Sequence, residues 1–551
     1  MAKQKKYTRE IAEWVSQVRY EDIPEEVIGE AKNQTLSVLG AVYAGALHEP
    51  AGRVGKCLEE MSGDGPCTFL PGGKKGDLQS VLIANLARSI ALDYDDYMIA
   101  GHTGHSSVLV PLALAETLPA SGKDVLLAQV IANEVASRIG AAVMVGPLNG
   151  QMWSFIHAAG AACAAARMMG LDYKQTLSAL GLALSQPGYG LVAGFMGSDA
   201  KLLTAGTAAA NGALSARLAA EGVQGFPDIL EHSRGFVEAF SFTPLLPILS
   251  SLGYTWLSNT LSYKIYPGCA YMDALLDATL DIVQREQPDP EDIYRVDIHA
   301  SLLTVKMDDL ARPFVRYENS SPVTLNFYAP YNVAAALIDR ELTPVQLTPN
   351  RIRDSEVWRL ARRVRTHHDI QLTSRILDET ARIIDVRYLL KGINWKTLAG
   401  IMKQIGPPNL GQMSSAKPTH EVVRDAIGMF GRAFTKHAET REGEFVPDDI
   451  QKFRMNFGAR VKVLLKNGKT FECEQQVPYG AAGRPLEEKR IEVIRKFRQE
   501  ATMLITERAA GYLVNKIANF EAMTNSDLRK FMQICVGAVE PIRESAEAAG
   551  L

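Results

Sequence analysis

Apolar residues recur at helical spacing through roughly the first 260 residues, and this periodicity limits the folds open to the chain. Segments such as YTREIAEWVSQVRY and KDVLLAQVIANEVASRIGAAV carry apolar side chains three and four residues apart. The segment SFIHAAGAACAAARMMG is rich in alanine and glycine, whose small side chains allow helices to approach closely. Alternation of β-branched residues is almost absent here, so we expect a large all-helical domain over residues 1–263.

The pattern changes at Lys264, where segments with strand character begin. Residues 293–305 and 459–477 alternate and contain β-branched residues, and Asn467-Gly468 predicts a type I′ hairpin turn. Between them, YNVAAALIDREL and SEVWRLARRVRTH have helical patterns. Because 551 residues are too many for one compact core, we predict a second, smaller α+β domain over residues 264–484. From Pro485 the pattern is helical again.

Titratable side chains concentrate between two strongly apolar runs, within residues 91–107. Polar groups in this setting are expected at the ends of buried helices that face a cleft, where burial shifts pKa values. One interpretation is acid–base catalysis; the alternative is that Asp93 caps a helix and His105 satisfies a buried carbonyl group. The stretch contributes three carboxylates and two histidines: Asp93, Asp95, Asp96, His102 and His105.

Four of these side chains also offer carboxylate and imidazole ligands for a metal ion: Asp95, Asp96, His102 and His105. The two histidines, however, belong to a glycine-containing loop that imposes no ligand geometry. The HExxH pattern, which places two histidines on one face of a helix, is absent from the sequence. We therefore predict no metal site.

The composition narrows the class of protein and the class of partner. A formal net charge of −3 argues against nucleic acid or an anionic membrane surface as the main partner. The six cysteines show neither a CxxC pair nor a zinc spacing, as in a reduced cytoplasmic protein. The basic N-terminus lacks an apolar signal region, and no uninterrupted apolar run approaches a membrane span. We expect a soluble cytoplasmic protein.

The pattern ALDYDD, followed by a loop and GHSSVLVPLALAE, resembles the corresponding stretch of the MmgE/PrpD family. The resemblance implies a mainly α fold, in which an α+β lid is inserted into an all-helical domain and residues 485–551 return to that domain. Compared with this pattern, the chain carries an extra, helical insertion at about 370–455. The resemblance also implies a homodimer without a cofactor, and apolar helices such as VLVPLALAETL would need a covering surface.

The family pattern also implies a set of catalytic residues. Asp93 and His105 match its acid–base positions, whereas His102 lies off the alignment and should tolerate substitution. Lys201, in SDAKLLTAG, and Lys264, in YKIYPGCAYMD, match its two lysines. A lysine between apolar neighbours suits the binding of a carboxylate or the stabilisation of an enolate.

Several positions depart from the family pattern. Tyr97 stands in place of threonine, and Gln151, Thr204 and Asp273 stand in place of histidines. Cys269 occupies a position that is histidine in decarboxylase members, and a packing thiol is its safer interpretation. Six positions are predicted to contact the substrate: Tyr97, His102, Gln151, Cys269, Asp273 and Tyr331.

The retained groups suit the removal of a proton α to a carboxylate, which requires one base and a cationic cradle for the enolate. We therefore predict a cofactor-independent lyase or isomerase, dehydratase-like, that acts on a small carboxylic acid or a derivative. A decarboxylase or an epimerase of a dicarboxylate is an alternative, because these reactions share a carbanionic intermediate. A non-catalytic relative that acts as an interaction protein is the alternative from another class.

Overall fold

The computed structural model describes residues 5–146, 154–383 and 450–536. The described part is mainly helical, as the sequence predicts, with three small sheets. Gln151 lies outside the described residues, and so does most of the predicted insertion at about 370–455. The domain boundaries at 263 and 484, and the role of the α+β region as a lid, stay predictions.

The helices of the N-terminal half carry much of the buried core. They begin at typical caps: Asp77, Ser121 and Asp172 each accept a hydrogen bond from a backbone N–H of the first turn. Their bounds are α1 Tyr7–Gln17, α2 Glu25–Ala46, α3 Glu49–Met61, α4 Leu78–Ile90, α5 Gly104–Ala115, α6 Gly122–Ala142, α7 Ser154–Met168, α8 Tyr173–Ser185, α9 Val192–Gly197, α10 Leu203–Ala220 and α11 Phe236–Phe240.

The remaining helices surround the largest sheet or follow it. Their bounds are α12 Asp273–Glu286, α13 Leu302–Ala311, α14 Pro322–Leu325, α15 Ala329–Asp339, α16 Pro349–Ile352, α17 Ser355–Ala361, α18 Ile370–Ile383, α19 Leu486–Ala501, α20 Glu507–Ala518 and α21 Asn525–Cys535. Helix α19 packs along α2, which in turn packs against α4. Through this contact the C-terminal part of the chain covers the N-terminal helices.

Close helix packing depends on the small residues that the sequence shows. Helix α7 packs against α6, α8 and α10. A Cβ atom at Gly212 of α10 would lie 2.2 Å from the carbonyl oxygen of Ala158 in α7. Only glycine fits there, so the expected close approach of these helices is confirmed.

The strands form one four-stranded sheet and two short pairs. The four strands lie in the order β6-β5-β7-β8; β5 and β6 are parallel and the other pairs are antiparallel. Helix α12 packs against β7 and β8. The strand bounds are β1 Cys67–Thr68, β2 Lys75–Gly76, β3 Asp96–Tyr97, β4 Ser262–Tyr263, β5 Ile293–Ala300, β6 Val364–His368, β7 Ala459–Leu465 and β8 Thr470–Gln475.

Two predicted elements end earlier than expected. The strand predicted over 293–305 ends at Ala300, because Ser301 accepts a hydrogen bond from the Thr304 N–H and caps α13. The helix predicted for SEVWRLARRVRTH ends at Ala361, and Val364–His368 forms a strand beside β5. Pairing with a distant strand overrides the local helical pattern in this segment.

The hairpin between β7 and β8 forms as predicted, but its turn is not type I′. A type I′ turn requires a positive φ at both central residues. Gly468 has a positive φ, +84°, but Asn467 does not. The Leu465 carbonyl accepts from the Gly468 N–H at 3.0 Å, and the Leu465 N–H donates to the Lys469 carbonyl at 2.9 Å. This is the longer hairpin loop, a type I turn followed by a glycine bulge.

Among the described helices, α6 is long and apolar enough to cross a membrane by length and composition alone. The whole of its apolar window is buried inside the protein. Core helices of globular proteins pass the same test, so this helix is weak evidence for a membrane span.

Candidate active site

A cavity of about 330 Å³ lies next to the titratable stretch that the sequence singles out. The segment from Asp93 to His102 lines one side of it. Further lining residues come from α9, α13, α18, and the segments 269–271 and 453–457. The cavity therefore gathers segments that are up to about 360 residues apart in the chain.

Asp93 enters this cavity from a strained backbone. It follows the end of α4 with φ at +54°, a left-handed conformation that few non-glycine residues adopt. Lys264 Nζ donates to Asp93 Oδ1 and to Asp95 Oδ1, both at 2.7 Å. Burial alone would raise the pKa of Asp93, but Lys201 and Lys264 hold this pKa below its ordinary value. Asp93 is therefore an anion that holds cations in place.

Lys264 carries a permanent charge in this arrangement. Burial would lower its pKa, but Asp93 and Asp95 together hold the pKa above its ordinary value. Burial would raise the pKa of Asp95, yet His105 and Lys264 hold it well below its ordinary value. The lysine thus bridges two buried carboxylates at once.

Lys201 differs from Lys264 in its lack of hydrogen bonds. Its fully buried Nζ has no hydrogen-bond partner among the described residues, and it lies 3.5 Å from Asp93 Oδ2. It also lies over the rings of Phe327, at 4.8 Å, and Phe195, at 5.5 Å, both of which line the cavity. Burial lowers the pKa of Lys201 to about 8. Lys201 is therefore an ammonium group with unused donors beside the cavity.

His102 lines the cavity and presents one unprotonated nitrogen. Its Nδ1 lies 2.9 Å from the Asp96 carbonyl oxygen, which can only accept, so Nδ1 carries the proton. Burial, with a contribution from Lys264, lowers the pKa of His102 below its ordinary value. The ring is therefore neutral near pH 7, and its Nε2 keeps a lone pair.

His105 lies behind the carboxylates and is not among the cavity-lining residues. Its Nε2 is 3.0 Å from Asp95 Oδ2, and its Nδ1 is 2.8 Å from the Ser89 hydroxyl. The side chain is completely buried in the first turn of α5. The preference for His105 over His102 as the acid–base group therefore does not agree with the geometry, because the loop between them turns His102 toward the cavity.

One group of the described residues has the ligand spacing of a metal site. Ligand atoms of Asp93, Asp95 and His102 lie within 4.8 Å of one another. The Lys264 ammonium, however, already bridges the two carboxylates at 2.7 Å. A cation bound there would face this ammonium, so the donor set does not fit a divalent metal.

The other predicted contact residues fall into two groups. Tyr97 and Cys269 line the cavity, and Tyr97 stacks on Phe457 at 5.9 Å. Burial raises the pKa of the Cys269 thiol to about 12, which agrees with a packing thiol rather than a nucleophile. Asp273 is buried in the first turn of α12 and does not line the cavity.

Tyr331 lies in the core rather than over the site. It is fully buried, its hydroxyl donates to the Gln346 carbonyl at 2.6 Å, and its ring lies 5.1 Å from that of Trp358. Tyr331 does not line the cavity described above, because the first turn of α15 faces Trp358, and its contact with a substrate stays a prediction.

Two contributions were missed by sequence reasoning. Asp95 holds Lys264 and His105, a role that its sequence pattern, which suggested a metal ligand, did not indicate. Arg454 and Glu379 line the cavity from distant segments, and Glu379 accepts a hydrogen bond from the Arg454 backbone N–H at 3.3 Å. Arg454 and Glu379 belong to no motif, whereas a signal for Asp95 was present, since it lies two residues from Asp93 in the same stretch.

Comparison with known proteins identifies the family of this chain. The MmgE/PrpD N-terminal domain matches residues 9–246, and the MmgE/PrpD C-terminal domain matches residues 266–394. A cis-aconitate decarboxylase-like protein, oryM, of Aspergillus oryzae is 27% identical over 380 residues, covering 64% of this chain and 78% of that protein. Cis-aconitate decarboxylase of Aspergillus terreus is 26% identical over 386 residues, covering 66% and 78%.

The human cis-aconitate decarboxylase is similar over a shorter stretch. It is 29% identical over 204 residues, which cover 35% of this chain and 42% of the human protein. The two domain matches extend over more than half of the sequence; the first contains Asp93 and Lys201, and Lys264 lies just before the second. This chain, with its lysine-bridged carboxylates beside a cavity, is a member of the MmgE/PrpD family.

Proposed function

We propose that this protein is a cofactor-independent lyase or isomerase that removes a proton from the carbon α to a carboxylate. One observation supports this most: His102 and Lys201 both lie next to Asp93, which lines the cavity. A ring nitrogen of His102 is within 4.8 Å of an Asp93 oxygen, and Lys201 Nζ is 3.5 Å from Asp93 Oδ2. A base and a cation around one reacting carbon are what enolate chemistry requires.

The proposed roles follow from the charges and hydrogen bonds. His102 accepts the α-proton at Nε2, while its Nδ1–H bond to the Asp96 carbonyl holds the ring in place. Lys201 donates its unused N–H groups to the enolate oxygen, and its pKa of about 8 also allows it to return a proton. Lys264 holds Asp93 and Asp95 in place as anions.

In the dehydratase-like reaction, the C–H bond breaks and its electrons form the double bond as the β-hydroxyl leaves. The departing oxygen takes a proton from Lys201 or from the protonated His102 and leaves as water. In an epimerisation the proton returns to the opposite face of the same carbon. Both reactions need one base and one acid near the enolate.

Decarboxylation is the second candidate, and the names of the relatives favour it. In that reaction the bond between the α-carbon and a carboxylate breaks, carbon dioxide leaves, and the carbanion takes up a proton. The same ammonium group would stabilise the intermediate. The two candidates differ in whether carbon dioxide is released.

The test is incubation in deuterium oxide with a panel of hydroxy-, unsaturated and amino-carboxylic acids. Deuterium uptake at the α-carbon, abolished by His102→Gln, supports the proposal, and carbon dioxide release selects the decarboxylase. No exchange and no release with any acid would overturn it and favour the interaction-protein alternative.

We propose further that the protein is a cytoplasmic homodimer whose α+β region closes over the cavity. The support is family membership; the apolar helix α5, whose sequence suggested an uncovered surface, is entirely buried within the chain. Light scattering at micromolar concentration should give the mass of two chains, and a monomer would contradict the dimer.

A further inference from the structure

The loop that carries His102 is held at both of its ends by buried amide side chains. It runs from Asp96, in β3, to Thr103, directly before α5. Asp96 Oδ2 accepts a hydrogen bond from Gln34 Nε2 at 2.8 Å, and Thr103 Oγ1 donates to Asn133 Oδ1 at 2.7 Å. Gln34 belongs to α2 and Asn133 to α6, so two helices hold the ends of one loop.

Neighbouring amides fix the orientation of Gln34. Its Nε2 also donates to Asn133 Oδ1 at 3.1 Å, and Asn133 Nδ2 donates to Gln34 Oε1 at 2.8 Å. Gln129, one turn earlier on α6, donates to the same Gln34 Oε1 at 2.9 Å. Because Oε1 already accepts two hydrogen bonds, the NH₂ group of Gln34 is the part that faces Asp96. These four side chains are almost completely buried.

Close packing fixes the Asp96 side chain as well. A Cβ atom at Gly104, the first residue of α5, would lie 1.7 Å from Asp96 Oδ1, so only glycine allows the carboxyl group to pack there. The backbone carbonyl oxygen of the same Asp96 accepts the hydrogen bond from His102 Nδ1, at 2.9 Å. The position of Asp96 therefore determines where the His102 ring lies and which of its nitrogens carries the proton.

A network of this kind contributes more to position than to stability. Replacing both partners of a buried hydrogen bond with apolar groups of the same shape is nearly neutral, whereas hydrogen-bonded networks in a core specify one arrangement. A base must lie within hydrogen-bond reach, roughly 2.6–3.2 Å, of the proton that it removes. A displacement of about 1 Å can lower a rate by about 10²-fold. His102 lines the cavity from a loop, so its position depends on what holds that loop.

We infer that Gln34 is a positioning residue for the proposed reaction: through Asp96 it keeps the His102 ring in place with Nε2 unprotonated. This inference rests on the function proposed above, in which His102 is the base. Gln34 does not line the cavity, so it acts through the loop and not on the substrate.

The test compares two buried glutamines of the same network. Gln34→Leu removes the donor to Asp96. Gln129→Leu removes a donor to the Ala31 carbonyl oxygen and leaves Gln34 paired with Asn133, so it is the control. Urea unfolding shows that each variant is folded under the assay conditions.

The two variants should differ in turnover of an acid found in the deuterium screen. Gln34→Leu should lower kcat by about 10²-fold with little change in KM, because a displaced base weakens the transition state and not substrate binding. Gln129→Leu should keep a kcat close to that of the native protein. Equal rates in the two variants would make Gln34 a structural residue and overturn the inference.

A spectroscopic measurement reports the His102 ring directly. In protein labelled with ¹⁵N at its histidines, the NMR spectrum near neutral pH should show His102 as the Nδ1–H tautomer. The signal is assigned by its loss in His102→Gln. Gln34→Leu should add the Nε2–H tautomer, whereas Gln129→Leu should not. An unchanged tautomer in Gln34→Leu would overturn the inference.

Thr103→Val decides the question if Gln34→Leu does not fold. Valine has nearly the shape of threonine but cannot donate to Asn133, so this variant releases the other end of the loop. It should lower kcat by roughly 10-fold and add the same Nε2–H tautomer, a smaller effect because one end stays held. A native rate with a native tautomer would overturn the inference.

The tautomer also separates this inference from the proposed function. If no acid exchanges its α-hydrogen even with the native protein, the reaction is overturned. The tautomer of His102 in the variants then still decides whether Gln34 holds the ring.

Discussion

Two clusters of buried lysines and carboxylates lie close together in this protein, and they differ in what their ammonium groups contact. The cavity cluster consists of Asp93, Asp95, Lys201 and Lys264. The helix cluster consists of Glu30, Tyr263, Lys489 and Lys496, and it joins α19 to α2 and to β4. Both clusters are almost completely removed from solvent.

The lysines of the helix cluster have their hydrogen bonds satisfied. Lys496 donates to the Ser37 hydroxyl at 2.9 Å and to the Tyr94 carbonyl at 2.5 Å. Lys489 pairs with Glu30 and donates to the Leu261 carbonyl at 3.1 Å. Neither lysine lines the cavity described above.

Lys201, in the cavity cluster, lacks the hydrogen bonds that the lysines of the helix cluster make. It is as deeply buried as Lys496, yet it has no hydrogen-bond partner among the described residues and lies beside a cavity. Burial and charge alone therefore do not distinguish the proposed site lysine from a structural one. The difference lies in the unused donors of Lys201 and in its contact with two phenyl rings that line the cavity.

The largest expected effect comes from comparing His102 and His105, of which His102 alone lines the cavity. His102→Gln should lower turnover by roughly 10²–10⁴-fold, because glutamine keeps a hydrogen-bonding group but cannot exchange a proton near neutral pH. His105→Gln should lower it much less, since its ring contacts Asp95 and Ser89 instead of the cavity. The rate of α-deuterium uptake measures both. A crippled His105→Gln beside an active His102→Gln would restore the sequence-based assignment.

The next effect is on stability. Lys489→Met should lower the free energy of unfolding by about 3–5 kcal/mol, because it leaves the Glu30 carboxylate buried without its partner. Urea unfolding, with an unchanged m-value, measures the loss. Lys56→Met, on an exposed side chain of α3, is the control and should change stability by less than about 0.5 kcal/mol. A loss as small as that of the control would mean that the pair contributes little to folding.

Lys201→Met should lower turnover and leave stability unchanged or higher, the reverse of Lys489→Met. Turnover should fall by roughly 10²–10³-fold, as when one oxyanion donor is removed. Unfolding should be unaffected or require more urea, because Lys201 has no hydrogen bond to lose and Asp93 keeps Lys264. Destabilisation with unchanged turnover would move Lys201 into the same class as Lys489.

The smallest effect is the pH dependence of the native protein. Activity should fall as pH rises through about 8, because Lys201 then loses its proton. Activity should also fall at acidic pH, as His102 takes up a proton and can no longer act as a base. The ordinary pKa of histidine is about 6.5, and burial lowers the pKa of His102, so the midpoint should lie below that value. The pH profile of kcat/KM reports both limbs. A plateau that continues past pH 9 would exclude Lys201 as the titrating acid.

The sequence by itself determined the features that depend on local pattern. Helical periodicity was sufficient for the mainly α fold, since an apolar stripe requires a buried face wherever the helix lies. The stretch 91–107 and the two lysine motifs led to Asp93, Lys201 and Lys264, and the structure brings all three together. These residues could be found because each lies in a short, recognisable segment.

The tertiary structure alone decided which groups face the cavity. His102 and His105 are three residues apart, and the start of α5 between them leaves His102 lining the cavity while His105 contacts Ser89 behind Asp95. The partners of Asp93 come from about 108 and 171 residues away. The cavity is lined by segments that no local pattern connects. Hydrogen-bond saturation and the shape of a cavity are properties of distant atoms, so they become defined only when the chain has folded.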